Sequence, residues 1–395
     1  MKVSAACPLL LLVAAVSMAT PATRAQVNSP DDPGSVAAPV DAPKNLARLN
    51  CGARIEIPAA NAAVSTNDNG SKVRTLLLDD QTLDYQLTAG DTSFVISLPK
   101  ISLVDRFTFI NENSAAKGSV HVAVSNSRLS LKDDNWQTAG RDVRVSDQRF
   151  VNVPLTGLEA KYVRVTFHFE KPATIAAIGL YGRKTLQSFS EQRQHIKEAA
   201  INIAYTTPIN RSYEGLNYNF ANLYAKARVI YVSSGSLLQA PQMIDDDPAT
   251  GFGFGTNDLH PTTVLELNES QRLRRVSAVY EMRAGQLDIY LLERLPAGAA
   301  SLDFDRLKPV VSVTDAAGTG KAAADFDPHG ARYIALRWTP AQHTPNSSFK
   351  VCEIGAFSDS SPMTIGWVDV PERLMSATDI TVVPSGPPVI IPSSP

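Results

Sequence analysis

Residues Gln242–Phe254 read QMIDDDPATGFGF: an apolar pair runs into consecutive aspartates, then Pro248 and Thr250, then two phenylalanines spaced by glycine. A fainter copy, LLLDDQTLDYQL, occupies Leu76–Leu87. The segments around the two copies are also alike. Working outward, Arg54–Ile57 is answered by Arg228–Val232, Ser93–Leu98 by Thr263–Leu267, and Leu103–Ile110 by Leu273–Tyr280. Ser119–Ser125 is answered by Gln286–Leu292, Lys161–Phe167 by Arg332–Trp338, and Ile175–Tyr181 by Phe349–Phe357. Matching features in one order mark a duplication. The repeat is far longer than the roughly 20–50 residues of a solenoid.

The segments themselves alternate apolar and polar residues. In Ser119–Ser125 the valines 120, 122 and 124 interleave with Ser119, His121 and Ala123. Period-two runs such as Ser93–Leu98, Asp105–Ile110, Arg149–Leu155 and Tyr162–Phe169 bury one face and wet the other. Turn residues separate them, for example Asp133-Asp134-Asn135 and Thr156-Gly157. This pattern predicts an all-β chain of two tandem β-sandwiches. The expected organisation is a leader over 1–25, a flexible lead-in over 26–44, a first sandwich over 45–183, a linker over 184–215, a second sandwich over 216–359 and a Pro/Ser-rich tail over 360–395. Within the linker, Ile196, Ala199, Ala200 and Ile203 have the spacing of a short amphipathic helix, with Ser188 or Ser190 as N-cap.

Charge narrows the partners. Lys and Arg total 37 against 39 Asp and Glu, a net of −2, so no basic field draws nucleic acid or an anionic membrane. At the N-terminus, Lys2 precedes the apolar run Pro8–Val16, and Thr23 and Ala25 put small residues at positions −3 and −1 before Gln26, the pattern of a secretory signal peptide cut after Ala25. The apolar run is shorter than the roughly 20 residues that span a bilayer, and no later stretch reaches that length, so no transmembrane segment is expected. The expected location is secreted or periplasmic. Cleavage leaves Cys51 and Cys352. An oxidising compartment permits a bridge between the repeats, and a pair of buried or free thiols is the other reading.

Each repeat resembles the discoidin, or coagulation-factor type C, domain. The residues that carry this are Met243–Phe254, Arg332–Trp338 and the closing Glu353-Ile354-Gly355-Ala356-Phe357 of the second repeat. In the first they are Leu78–Tyr85, Lys161–Val165 and Ile178-Gly179-Leu180-Tyr181. The resemblance implies tandem galactose-binding-like jelly-roll sandwiches of a kind that bind carbohydrate, phospholipid or protein. It also implies a structural Ca²⁺ in the second domain only, with Asp245, Asp247, Thr250 and Glu353 on the family's ligand positions and Asp246 where glycine is usual; a solvated acidic turn begun at Asp247-Pro248 is the other reading. In the first repeat the glutamate position is Ala177, which argues against a metal there.

Sugar recognition needs an exposed ring with polar groups around it. Tyr85, Trp136, Phe252 and His260 are the candidates, each with packing in the core as its alternative; Phe254 and Trp338 favour packing. Leu237-Leu238 is either a loop tip that projects or a buried anchor. None of the six histidines lies in a nucleophile-elbow, zincin or paired-cysteine motif, and there is no phosphate-cradling glycine loop. The chain is expected to be non-catalytic. Its expected partner is extracellular or cell-surface carbohydrate, the alternative being an envelope protein in a structural, assembly or adhesive role.

Overall fold

The computed structural model describes residues 45–57, 72–113, 115–182, 215–295, 298–342 and 347–359. The leader, the lead-in, the expected linker helix and the tail lie outside the described residues. Within them the chain is all-β, with short 3₁₀ turns and no α-helix. No helix among the described residues is long and apolar enough to cross a membrane.

The first repeat contains β1 (Arg54–Glu56), β2 (Asp84–Leu87), β3 (Gly90–Asn111), β4 (Gly118–Ser125), β5 (Gln137–Thr138), β6 (Val143–Val145), β7 (Phe150–Phe169) and β8 (Ala173–Tyr181). The second contains β9 (Arg228–Val232), β10 (Phe252–Gly253), β11 (Thr262–Tyr280), β12 (Gly285–Leu292), β13 (Val311–Asp315), β14 (Lys321–Pro340) and β15 (Lys350–Ser358). Here the structure departs from the expected strand list. Ser93–Leu98 and Asp105–Ile110 are halves of one strand, β3, and Arg149–Leu155 and Tyr162–Phe169 are halves of β7. The register of β3 on β7 shifts between Ser97 and Ser102 and again between Val104 and Arg106. Such bulges bend a strand without ending it. β11 is likewise continuous, with shifts between Glu266 and Gln271 and between Leu273 and Arg275.

The bent strands make each sandwich. The first half of β3 pairs with β1 and with the second half of β7, which continues to β4; this is one layer. The second half of β3 pairs with β8 and with the first half of β7, and β2 closes the edge; this is the other layer. The second repeat follows the same scheme, with β9, β11, β14, β12 and β13 in its first layer and β10, β15, β11 and β14 in its second. Between the layers of the first repeat lie Phe94, Phe107, Phe109 and Phe167, with Phe167 edge-on to Phe109 at 5.1 Å. In the second, Trp338 stacks on Phe349 at 4.9 Å and Tyr280 leans on Trp338 at 4.6 Å. Each such ring removed from water contributes about 1.5–3 kcal/mol.

The two sandwiches pack through their second layers. Ile110, Ala176 and Ala177 of the first repeat meet Val279 and Cys352 of the second in a buried apolar cluster. A second cluster joins Leu78 to Leu216 and Phe357. The outer faces of the first layers are left to point away from this contact.

Candidate functional site

The aspartate-rich turn belongs to that contact. A 3₁₀ turn, Ala240–Met243, buries Met243 and delivers Ile244 into the core, and the chain then reverses. Asp246 makes the reversal in the left-handed region, at φ 65°. Aspartate tolerates that region better than most side chains, so the turn forms without glycine. All three aspartates are buried.

Their oxygens are mostly occupied. Thr250 Oγ1 lies 3.0 Å from each carboxylate oxygen of Asp245, and the Asp247 N–H donates to Asp245 Oδ1 at 3.1 Å. Arg48, from the first repeat, donates through Nε to both Asp246 oxygens at 3.0 and 3.1 Å and through NH2 to Oδ1 at 2.5 Å. Its NH1 caps the Leu78 carbonyl at 2.6 Å. Arg106, also from the first repeat, meets Asp247 Oδ2 at 2.6 Å, while Asp247 Oδ1 accepts the Ala249 N–H. Glu353 Oε2 accepts the Asp246 N–H at 3.1 Å. Tyr181 donates its hydroxyl to the Asp246 carbonyl at 2.8 Å.

The electrostatics follow from this burial. Burial, and then the charge of Asp247, push the Asp245 carboxyl up to about 7, against the hydrogen bond from Thr250. Glu353 is raised well above the usual carboxylate range by burial and by the charges of Asp245 and Asp246. Burial alone would lower Arg48, but the Asp246 carboxylate more than offsets it and holds the guanidinium charged.

The faint first-repeat copy is tied in the reverse direction. Asp80 Oδ2 meets Arg275 Nε of the second repeat at 2.6 Å, and Asp79 Oδ2 accepts the Asn219 N–H at 2.9 Å. Arg106 and Arg275 occupy matching positions after the bulges of β3 and β11, each opposite the aromatic end of a closing strand, Tyr181 or Phe357. The ties are therefore reciprocal.

Calcium takes six to eight oxygens at about 2.3–2.6 Å. In this cluster Glu353 Oε1 is the carboxylate oxygen left without a hydrogen-bond partner among the described residues. No group of three or more His, Cys, Asp or Glu among the described residues is arranged to hold a metal ion. Asp245, Asp247, Thr250 and Glu353 lie in one buried cluster, in which Arg106 meets Asp247, Thr250 meets Asp245 and Glu353 accepts from the Asp246 N–H.

The expected sugar-stacking rings are placed differently. Tyr85 is buried against Phe94 in the first core, edge-on at 5.8 Å. Phe252 is buried against Phe254 at 4.8 Å. Trp136 lies under the loop that crosses the outer face of the first sandwich, its Nε1–H donating to the Ser130 carbonyl and its ring beneath Arg164. Each ring has lost the solvent-facing side that stacking requires, because a strand or loop covers it. His260 is exposed. Leu237 is buried and anchors its loop, whereas Leu238 beside it is 90% exposed. Cys51 and Cys352 are not bridged to each other.

His260 sits in a prearranged polar corner. Its backbone N–H donates to Asp258 Oδ1 at 3.1 Å, and its ring Nδ1 lies 3.3 Å from Thr339 Oγ1. Ser234 Oγ donates to Asp258 Oδ2 at 2.6 Å, as does Ser233 Oγ, and Ser233 Oγ accepts the Thr262 N–H at 2.8 Å. Strand register extends the corner across the sheet: Thr339 is opposite Gln286, and Gln286 is opposite Thr314. On the same face, Asp288 Oδ1 accepts from Gln286 Nε2 at 2.7 Å and from Ser312 Oγ at 2.6 Å. Sequence reading found His260 but missed Gln286, Asp288, Ser312 and Thr339. Their outward period-two positions were the available signal, and register alone unites them.

No protein-family model matches the sequence, and no curated protein matches it. Solved structures similar to this chain include an F-lectin (fucolectin) from striped bass, Morone saxatilis, serum, at 14% identity and a TM-score of 0.26, covering 79% of this chain and 97% of that one. CpGH89CBM32-6 produced by Clostridium perfringens is 15% identical with a TM-score of 0.28, over 35% of this chain and 99% of its own. A chitosan-binding module from a chitosanase/glucanase of Paenibacillus sp. IK-5 is 20% identical with a TM-score of 0.27, over 35% of this chain and 99% of its own. At these identities and TM-scores the likenesses carry no functional argument for this chain.

Proposed function

We propose that this is a secreted, non-catalytic binding protein that recognises extracellular or cell-surface carbohydrate through the His260 corner and the polar face beside it. The observation that supports this reading is the exposed array of imidazole, hydroxyl, amide and carboxylate groups joined by the Thr339–Gln286–Thr314 register. Sugar hydroxyls both donate and accept, and an array held in place by its own hydrogen bonds meets them at little ordering cost. Leu259, exposed beside His260, gives the apolar faces of a sugar ring a contact. The reading is tested by affinity electrophoresis of the intact protein through gels containing polysaccharides, followed by glycan-array binding. Retention by at least one polysaccharide is expected. His260→Ala should weaken it about tenfold, the worth of a hydrogen bond or two. Absence of retention on every matrix, with and without calcium, would overturn the reading.

Leu238 and Leu259 favour a second reading, a structural or assembly protein of the cell envelope that docks on protein partners. A purified envelope protein retained by the wild type and released by Leu238→Asp, with polysaccharide retention absent, would favour that alternative.

A further inference from the structure

We infer that the aspartate turn of the second repeat is a cation-free latch between the two sandwiches, in which Arg48 and Arg106 of the first repeat supply the positive charge that a calcium ion would otherwise bring. The carboxylate group that receives Arg48 belongs to Asp246, at the left-handed position where glycine fits most easily. A glycine there would form the same turn but leave buried Arg48 with the Asp79 carboxylate, 3.8 Å from its Nε, in place of the direct pair. Aspartate therefore adds a contact that the turn itself does not need. Arg48 is buried to 1% exposure, so this charge has no alternative partner in solvent. Gln81, also from the first repeat, donates to the same Asp246 oxygen at 3.0 Å. Asp80 and Arg275 make the reciprocal tie. A cation at this turn would have to displace guanidinium groups from Asp246 and Asp247, and so would work against the packing of the repeats.

The latch makes two demands on the intact protein. Its stability should not depend on calcium, and its two sandwiches should unfold together. Differential scanning calorimetry in EDTA and in millimolar CaCl₂ is expected to give one transition with the same midpoint, and calorimetric titration with CaCl₂ no binding heat. A ligand bound only by the folded state raises the midpoint, so a rise of several degrees with calcium that EDTA reverses would overturn the inference. Asp246→Gly should lower the midpoint and broaden the unfolding toward two steps, since the turn survives and the Arg48 tie does not, leaving Arg106–Asp247 and Arg275–Asp80 to hold the contact. Asp246→Asn, a milder change that keeps the shape and removes the charge, should also lower the midpoint. An unchanged midpoint and single transition in both variants would overturn the inference.

Discussion

Arg48 shows how much can rest on one side chain. A buried ion pair recovers in mutual attraction roughly what its partners lose in hydration, so the pair as a whole adds little to stability. Breaking it is another matter. Arg48→Met would leave Asp246 buried with only Gln81 Nε2 on its carboxylate, and should cost about 3–5 kcal/mol. Adding Asp246→Asn to that variant should return much of the loss, because the bare charge at position 246 is then gone, while Asp79, 3.8 Å from Arg48 Nε in the wild type, keeps its bonds from Asn50 and Asn219. Urea unfolding of the wild type, both single variants and the double variant closes this cycle. A coupling energy near zero would mean that the pair does not act as a unit. Arg48 had no signal in the sequence. It is one arginine in the first repeat, and its partner lies 198 positions away.

At the scale of the element, the closing strands β8 and β15 share a glycine with a packing role. A Cβ on Gly355 would come within 2.7 Å of both Ser277 Oγ and the Phe357 ring, and one on Gly179 within 2.5 Å of Thr108 Oγ1 and 2.6 Å of the Tyr181 ring. Both glycines let an aromatic residue two positions later fold back across the strand. Gly355→Ala and Gly179→Ala should therefore each destabilise the protein by about 1–3 kcal/mol through overpacking, read as a lower urea midpoint at unchanged slope. These glycines are legible in the amino-acid sequence, inside the Ile-Gly-Leu-Tyr and Ile-Gly-Ala-Phe motifs that expose the duplication. Period-two alternation is equally legible, because it reflects local burial. The joining of predicted strand pairs into β3, β7 and β11 is not, because a bulge between two apolar runs reads as a turn. Nor is the burial of Tyr85, Trp136 and Phe252: whether a ring stacks on a sugar or on Phe94 depends on which distant strand or loop covers it.

For the molecule as a whole, the contact between second layers makes Cys352 a reporter of whether the sandwiches stay together. Its thiol lies in the apolar cluster formed by Ile110, Ala176, Ala177 and Val279, with atoms of both repeats around it. Burial pushes that thiol up to about 11, so near pH 8 only about one molecule in a thousand carries the reactive thiolate. Cys51 is half-buried, and its Sγ donates to Asn50 Oδ1 at 3.1 Å. In a chain beginning at Gln26, which carries these two thiols alone, labelling with a chromogenic disulfide should proceed in two phases. Cys51 accounts for the fast one. Cys352 can react only when the repeats part or the second sandwich opens, so its phase should be slow. If the sandwiches are latched, that phase should speed up with urea in step with global unfolding. If they separate freely while folded, it should be fast at low urea and nearly independent of it, since parting two preformed surfaces exposes far less chain than unfolding them. The urea dependence of one thiol thus distinguishes a single latched body from two sandwiches that merely touch.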